Sequence, residues 1–234
     1  MPTPKKSSPL FTKDAQAFLR ELAQHNNKAW FEANKARYEE ELRQPALELV
    51  RALEGPLHKL SPHLLVSDKK VGGSLMRIHR DVRFAKDKSP YNTHLALRFH
   101  LNAPKGESAP GFYIGIDADG LTLGAGLYGP DASAMAKVRA RIDAEPKAWK
   151  RARDAKAARE AGWAFEGESL KRPPKGFDAD HPLLEDLKRK SWCWFAKAPR
   201  SLVTRSELPA EAMARFRSAK GLVGFLAGAL GLDY

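Results

Sequence analysis

The chain of 234 residues is 43% hydrophobic and 9% aromatic, a composition that excludes an intrinsically disordered protein. Lys and Arg outnumber Asp and Glu by 40 to 28, which gives a formal net charge of +12 at pH 7. Such an excess favours anionic partners, such as nucleic acid, phosphorylated metabolites or an acidic membrane surface. Lysine and arginine on solvated faces would give the same total, so charge alone identifies no partner.

The sequence favours a cytoplasmic protein. Its single cysteine, Cys193, excludes an intramolecular disulfide bond and is typical of a reducing compartment. The first ten residues lack the apolar core of a signal peptide, and no apolar run approaches the roughly 18 residues of a membrane span. We therefore expect a cytoplasmic protein without a membrane partner.

The N-terminal third is predicted to be helical after a short tail. Residues 1–9, which include several prolines, are expected to be disordered, and a single domain is expected to cover residues 10–234. Thr12 caps a first predicted helix, and a second begins near Lys28. Pro45 is expected to end or kink the second helix before a third continues.

Alternating apolar and polar residues then predict β-strands. The predicted strands of this central region are 64–69, 74–80, 94–101, 112–117 and 121–128. Asp119-Gly120 is a typical hairpin turn, so the last two strands are expected to pair directly. The pattern indicates an antiparallel sheet with one apolar face and one polar face.

The C-terminal part returns mainly to helical spacing. Its predicted elements are helices at 131–144, 146–160 and 182–190, a strand at 191–197, a helix opened by Pro209 and a last helix at 222–230. All these elements together predict an α+β fold. We expect an antiparallel sheet of about five or six strands, with N- and C-terminal helices packed on one face.

Residues 76–91, MRIHRDVRFAKDKSPY, contain three arginines and two lysines. Their alternation predicts that the odd-numbered polar residues share the polar face of the sheet, where Gly115, Gly124 and Gly126 leave a shallow basin. Because an arginine fork binds carboxylate or phosphate at two points, we expect this basin to bind an anionic small molecule. The candidate ligand-binding residues are Arg77, Arg80, Arg83, Lys88, Tyr91, Arg98 and Tyr113.

Arg80 has two interpretations, because it lies on the apolar parity of its predicted strand. A charge among core positions needs partners, such as helix carbonyl groups or a buried carboxylate, and would then be structural. A local twist or bulge near Asp81 would instead turn Arg80 towards the site. The sequence leaves both interpretations open.

The candidate catalytic residues are His79, His100 and Asp81, because an imidazole beside arginines is suited to proton transfer near neutral pH. The seven histidines include no His-x-x-x-His pattern, and the single cysteine excludes a cysteine pair. No phosphate-loop signature occurs either. Neither a metal nor a cofactor is therefore predicted, and these residues do not establish whether the protein is an enzyme.

Two alternative functions come from other parts of the chain. The predicted helices around residues 137–156 are rich in Arg and Lys, with Trp149 and Trp163 nearby, a combination suited to the phosphates and bases of nucleic acid. No recognised nucleic-acid-binding motif accompanies them. The other alternative is a structural or interaction domain without a ligand.

Several motifs resemble those of one protein family. The run Arg77-x-x-Arg80-Asp81-x-Arg83-Phe84, followed by Asp87-Lys88 and Tyr91, is similar to the signature of a bacterial and fungal family catalogued as domain of unknown function 2461. Further similar motifs are Asn26-Asn27, Trp30-Phe31, Gly111-Phe112-Tyr113, Gly126-Leu127-Tyr128 and residues 171–176. The resemblance covers about residues 10–230. It implies a single α+β domain, no established activity and no known catalytic or binding residues.

Overall fold

The computed structural model describes residues 8–234, which build a five-stranded antiparallel sheet with helices packed against it. The predicted tail at 1–9 falls mostly on residues 1–7, which lie outside the described residues. The helical elements are α1 (Lys13–Gln24), α2 (Lys28–Ala33), α3 (Lys35–Arg37), a π-helical turn (Tyr38–Arg43), α4 (Gln44–Leu60), α5 (Ala132–Ala144), α6 (Pro146–Arg153), α7 (Lys156–Glu160), α8 (Leu184–Leu187), α9 (Arg200–Val203) and α10 (Leu208–Leu230). The strands are β1 (Leu95–His100), β2 (Gly111–Ile116), β3 (Gly120–Leu127), β4 (Ala164–Phe165) and β5 (Trp192–Pro199).

The sheet has the strand order β1-β2-β3-β5-β4, and every neighbouring pair is antiparallel. The predicted α+β class is therefore confirmed. The large aliphatic side chains of the strands lie on one face, and α10 crosses this face. Phe216 of α10 packs against Phe112 of β2 with ring centroids 4.7 Å apart. Helix α4 packs on α10, so N- and C-terminal helices share one continuous apolar core.

Helix α10 runs unbroken from Leu208 to Leu230, so the prediction of two separate C-terminal helices was wrong. Glycine inside a helix is tolerated where another element needs the space. At Gly228, the Arg141 guanidinium occupies the volume that a side chain would take. Arg141 also donates a hydrogen bond to the carbonyl oxygen of Phe225 at 3.0 Å, which joins α5 to α10. No helix within residues 8–234, α10 included, is long and apolar enough to cross a bilayer.

Pro45 does not end the helical path, because a π-helical turn precedes it. In this turn, Tyr38–Arg43, the backbone is wider, and the N–H of Gln44 bonds to the carbonyl oxygen of Glu39, five residues earlier. Pro45 then lies in the first turn of α4, where a missing N–H costs no helical hydrogen bond. The distortion expected at Pro45 takes the form of this π turn.

The strands predicted at 64–69 and 74–80 do not form. These residues follow the outer edge of β1 and meet the sheet only at isolated bridges, such as Leu75 with Leu97. The alternation of apolar and polar residues also does not correspond to burial, since the apolar Phe84, a few residues after the second predicted strand, is 95% exposed. The sheet is completed instead by β4 and β5, from the C-terminal part of the chain.

Residues 76–91, here named the arginine loop, are anchored to the N-terminal helices by one asparagine. Asn26, between α1 and α2, donates to the carbonyl oxygen of Tyr91 at 2.9 Å and accepts from the Tyr91 N–H at 3.1 Å. The Tyr91 ring stacks on Phe31 of α2 with centroids 4.1 Å apart. A two-point hydrogen bond and an aromatic stack therefore fix the end of the loop that leads into β1.

We expect Asn26→Ala to lower the free energy of unfolding by about 1–3 kcal/mol, because it leaves the part-buried N–H and C=O groups of Tyr91 without partners. Urea unfolding followed by circular dichroism measures the change. Asn102→Ala is the matched control, since Asn102 is exposed and its side chain makes no hydrogen bond within residues 8–234. Equal stability of the two variants would contradict the anchoring role.

Candidate functional site

A pocket of about 590 Å³, here named the sheet pocket, lies on the face of the sheet opposite α10. Strands β1, β2, β3 and β5 form its floor, and their register aligns side chains in rows across the sheet. The first row is Arg98, Tyr113, Gly124 and Phe195, and the second row is Ala96, Gly115, Thr122 and Lys197. The pocket therefore contains charged, aromatic and glycine positions from four strands.

Glycines allow two aromatic rings to lie low in the sheet pocket. A Cβ at Gly124 would be 3.1 Å from Cβ of Tyr113 and 3.1 Å from Cε1 of Phe195, so a larger residue would displace both rings. A Cβ at Gly115 would be 2.7 Å from the Tyr113 hydroxyl oxygen. The Tyr113 ring thus covers Gly115, and together with Phe195 it gives the pocket an apolar floor.

Arg98 and Lys197 are the cationic side chains of the sheet pocket. Both are exposed, and neither forms an ion pair with any carboxylate of residues 8–234. They lie on β1 and β5, three strand spacings apart, so their Cα atoms are separated by roughly 15 Å. Two unpaired cations therefore stand on opposite sides of an apolar floor.

The acidic and imidazole groups at one end of the pocket have defined roles. Asp117 Oδ1 accepts hydrogen bonds from the N–H groups of Asp119 and Gly120, both at 2.8 Å, and so closes the β2–β3 turn. Burial raises the pKa of Tyr113, and the negative charge of Asp117 raises it further, so the hydroxyl remains a hydrogen-bond donor at neutral pH. Burial lowers the pKa of His94, whose imidazole is therefore neutral at pH 7.

Of the predicted site residues, Arg98 and Tyr113 line the sheet pocket, and they are direct cross-strand neighbours. The other predicted residues lie outside it: Arg77, Arg80, Arg83, Lys88, Tyr91, His79, His100 and Asp81. Most of these belong to the arginine loop, which runs beside β1 and is not a strand of the sheet. The residues expected to share one basin are thus divided between the sheet pocket and the arginine loop, whose only contribution to the pocket lining is Met76.

The charges of the arginine loop largely satisfy one another. Arg80 donates to a carboxylate oxygen of Asp87 at 2.6 Å and to the carbonyl oxygen of Ser89 at 3.0 Å. Hydrogen bonds from Ser89, and then from Arg80, hold the pKa of Asp87 well below its usual range. Arg83 donates in turn to Asp81 at 2.7 Å. The contacts of Arg80 support its structural interpretation.

His79 and His100 make no contact with each other among the described residues. His79 packs between aromatic rings, with centroids 5.1 Å from Tyr91 and 6.0 Å from Phe31. Nδ1 of His100 lies 2.9 Å from the carbonyl oxygen of Leu101, and burial lowers the pKa of this histidine. Within residues 8–234, no three His, Cys, Asp or Glu side chains are grouped so as to hold a metal ion.

Three arginines of the region predicted to bind nucleic acid point into the protein. Arg139 donates to the carbonyl oxygen of Leu187 at 2.8 Å, and Arg141 donates to that of Phe225. Arg153 forms ion pairs with Asp154, the residue that follows α6, and with Asp186 of α8. These guanidinium groups connect helices and loops, and they do not contribute to an outward-facing track of the kind that phosphate binding requires.

Lys197 and Phe195 of the sheet pocket were missed by the sequence analysis, although part of the signal was present. Both lie on one parity of the strand predicted at 191–197, together with Cys193. Their pairing with β3 could not be read from the sequence, because four helices and strand β4 separate the two strands along the chain.

Cys193 lies in the floor of the sheet pocket but is only 5% exposed, and burial raises the pKa of its thiol to about 12. The reactive thiolate is therefore scarce in the folded protein. We expect DTNB at pH 8 to react with folded protein at least about a hundredfold more slowly than with urea-unfolded protein. The absorbance change reports on Cys193 alone, since the chain has no other cysteine. Rates within a few-fold of each other would contradict its buried placement.

The family described as conserved hypothetical protein (DUF2461) matches residues 14–225. This range covers nearly the whole chain and includes the sheet pocket and the arginine loop. Neither the curated proteins nor the solved structures give a match. The family match confirms the resemblance indicated by the arginine signature and the aromatic and glycine motifs. The chain therefore belongs to the DUF2461 family.

Proposed function

We propose that the sheet pocket binds a small molecule that carries a carboxylate or phosphate group on a flat apolar body. The observation that supports this proposal most strongly is the state of Arg98. Its guanidinium group is exposed beside the apolar floor and has no ion pair within residues 8–234. A planar guanidinium presents paired N–H donors that match the geometry of carboxylate and phosphate oxygens.

Tyr113 adds a neutral donor beside this cation. It is the direct cross-strand neighbour of Arg98, and its hydroxyl lies over Gly115 in the next row. Because burial raises the pKa of Tyr113, the hydroxyl is protonated and does not repel an anion. An anionic group held by Arg98 can therefore accept a second hydrogen bond from a hydroxyl that carries no charge.

The aromatic and thioether side chains around the pocket support the apolar body of the ligand. Tyr128 is 75% exposed, and its ring meets that of Phe195 edge to face with centroids 6.5 Å apart. Met76, at another side of the pocket, is 49% exposed. A flat ligand would cover these surfaces and remove apolar area from water. A volume of about 590 Å³ is of the size that small-molecule sites in proteins have.

Thermal unfolding in the presence of benzoate or phenyl phosphate tests the proposal, with ionic strength held constant by sodium chloride. A ligand that binds only the folded state raises the melting temperature. We expect at least one of the two probes to do so, with a saturable dependence on its concentration.

Arg98→Gln is expected to weaken binding of that probe about ten- to a hundredfold, because it removes a charge-assisted hydrogen bond. Arg77→Gln is the matched control: it makes the same change of charge at an exposed arginine that lies outside the pocket. Isothermal titration calorimetry measures both dissociation constants. Equal weakening in the two variants, or no stabilisation by either probe, would contradict the proposal.

A further inference from the structure

A second cavity of about 370 Å³ lies at the β4–β5 edge of the sheet, beside α6 and α7. It is distinct from the sheet pocket, because neighbouring residues of β5 point to opposite faces. Trp194 lines the second cavity and Phe195 lines the sheet pocket. We name it the edge pocket. Its lining includes three arginines, Arg153, Arg159 and Arg189.

Arg153 forms ion pairs with two of the carboxylates in the edge pocket. Its Nε and Nη2 donate to the two oxygens of Asp154, each at 2.7 Å, and its Nη1 donates to Asp186. Asp186 is only 5% exposed, so this pair is held at the base of the cavity. The third carboxylate, Glu185, pairs with Lys188 at 2.9 Å. The acidic groups of the pocket thus have cationic partners already.

Arg189 is held in place without using its hydrogen-bonding capacity. Its guanidinium lies over the Phe165 ring, 4.0 Å from the centroid, and the separation of Nε from an Asp186 oxygen is a long 3.8 Å. None of its side-chain N–H groups has a hydrogen-bond partner within residues 8–234, and Nε is fully buried. Burial lowers the pKa of Arg189, and the nearby negative charges of Asp186 and Glu185 oppose this effect without overcoming it.

Arg159 is the outer cation of the edge pocket. It is exposed on α7 and forms no ion pair with any carboxylate of residues 8–234. Its charge helps to hold the pKa of Asp154 below its usual range, after the larger effect of Arg153. The cavity therefore presents one exposed guanidinium and one partly buried guanidinium whose donors are unused.

We propose that the edge pocket binds an oxyanion, a phosphate or a carboxylate, through Arg159 and Arg189. The anion would supply the hydrogen-bond acceptors that Arg189 lacks, and it would offset a partly desolvated charge. A cation is disfavoured there, because every carboxylate of the pocket is already paired with Arg or Lys. This inference is independent of the function proposed for the sheet pocket.

The experiment measures thermal unfolding and calorimetric binding with inorganic phosphate and with malonate, at constant ionic strength. We expect a saturable rise in melting temperature with at least one of these probes. Arg159→Gln is expected to weaken its binding about tenfold. Arg151→Gln is the matched control, an equal change of charge on an exposed residue of α6 outside the cavity, and it should bind as the native protein does.

Arg189→Lys provides the second variant, because it keeps the buried charge and the fold while it removes the guanidinium fork. Circular dichroism checks folding, and a folded variant with about tenfold weaker binding is expected. Unchanged binding in both Arg159→Gln and Arg189→Lys would overturn the proposal, as would no stabilisation by either probe. Arg98→Gln separates the two sites: it should leave binding at the edge pocket unchanged, so failure of one proposal is distinguishable from failure of the other.

Discussion

The central sheet buries one face under α10 and leaves the other face open. Both the apolar core and the sheet pocket depend on this asymmetry. Alternation along β1, β2 and β3 places their large aliphatic side chains in the apolar core that the sheet shares with α10. The other face carries glycines, two low-lying aromatic rings and two cations that have no ion pair within residues 8–234, and no helix of this range lines the pocket they form. A sheet face that is apolar at its floor, charged at its sides and open to solvent is suited to binding a small molecule. The order and register of the strands thus determine where the sheet pocket lies.

The partners available to each guanidinium group decide its role in this basic protein. Arg80 is held by a carboxylate and a carbonyl oxygen within its own loop, and Arg141 joins two helices. Such groups contribute to the fold, because their hydrogen bonds are already formed. Arg98, Arg159 and Arg189 differ, since they line cavities and lack hydrogen-bond partners for their side chains within residues 8–234. The density of arginines along the sequence therefore does not indicate which guanidinium groups have free hydrogen-bond donors, because that depends on the acceptors nearby in the fold.

Much of the fold could be predicted from periodicity, because β1, the β2–β3 hairpin and the helices that flank them each follow a local rule. The predictions of secondary structure were wrong where tertiary contacts, and not the local sequence pattern, decide the conformation of the backbone. Residues 74–80 alternate as a strand would, yet they contact β1 only at isolated bridges, and the exposed Phe84 shows that the pattern does not report burial. Two residues of the sheet pocket, Arg98 and Tyr113, were also predicted from the sequence, since they lie on predicted neighbouring strands. Lys197 and Phe195 were not, because no local signal specifies which strand pairs with the outer edge of β3.

The central claim is that the open face of the sheet, and not the arginine loop, is the anion-binding surface next to β1. The most direct test is a ¹H–¹⁵N NMR titration of the folded protein with benzoate and phenyl phosphate. We expect saturable amide shifts concentrated at Arg98, Tyr113 and Phe195, with little change at residues 77–91 of the arginine loop, which lie outside the pocket. Shifts that are largest in the arginine loop, or that grow without saturation across the surface, would contradict it.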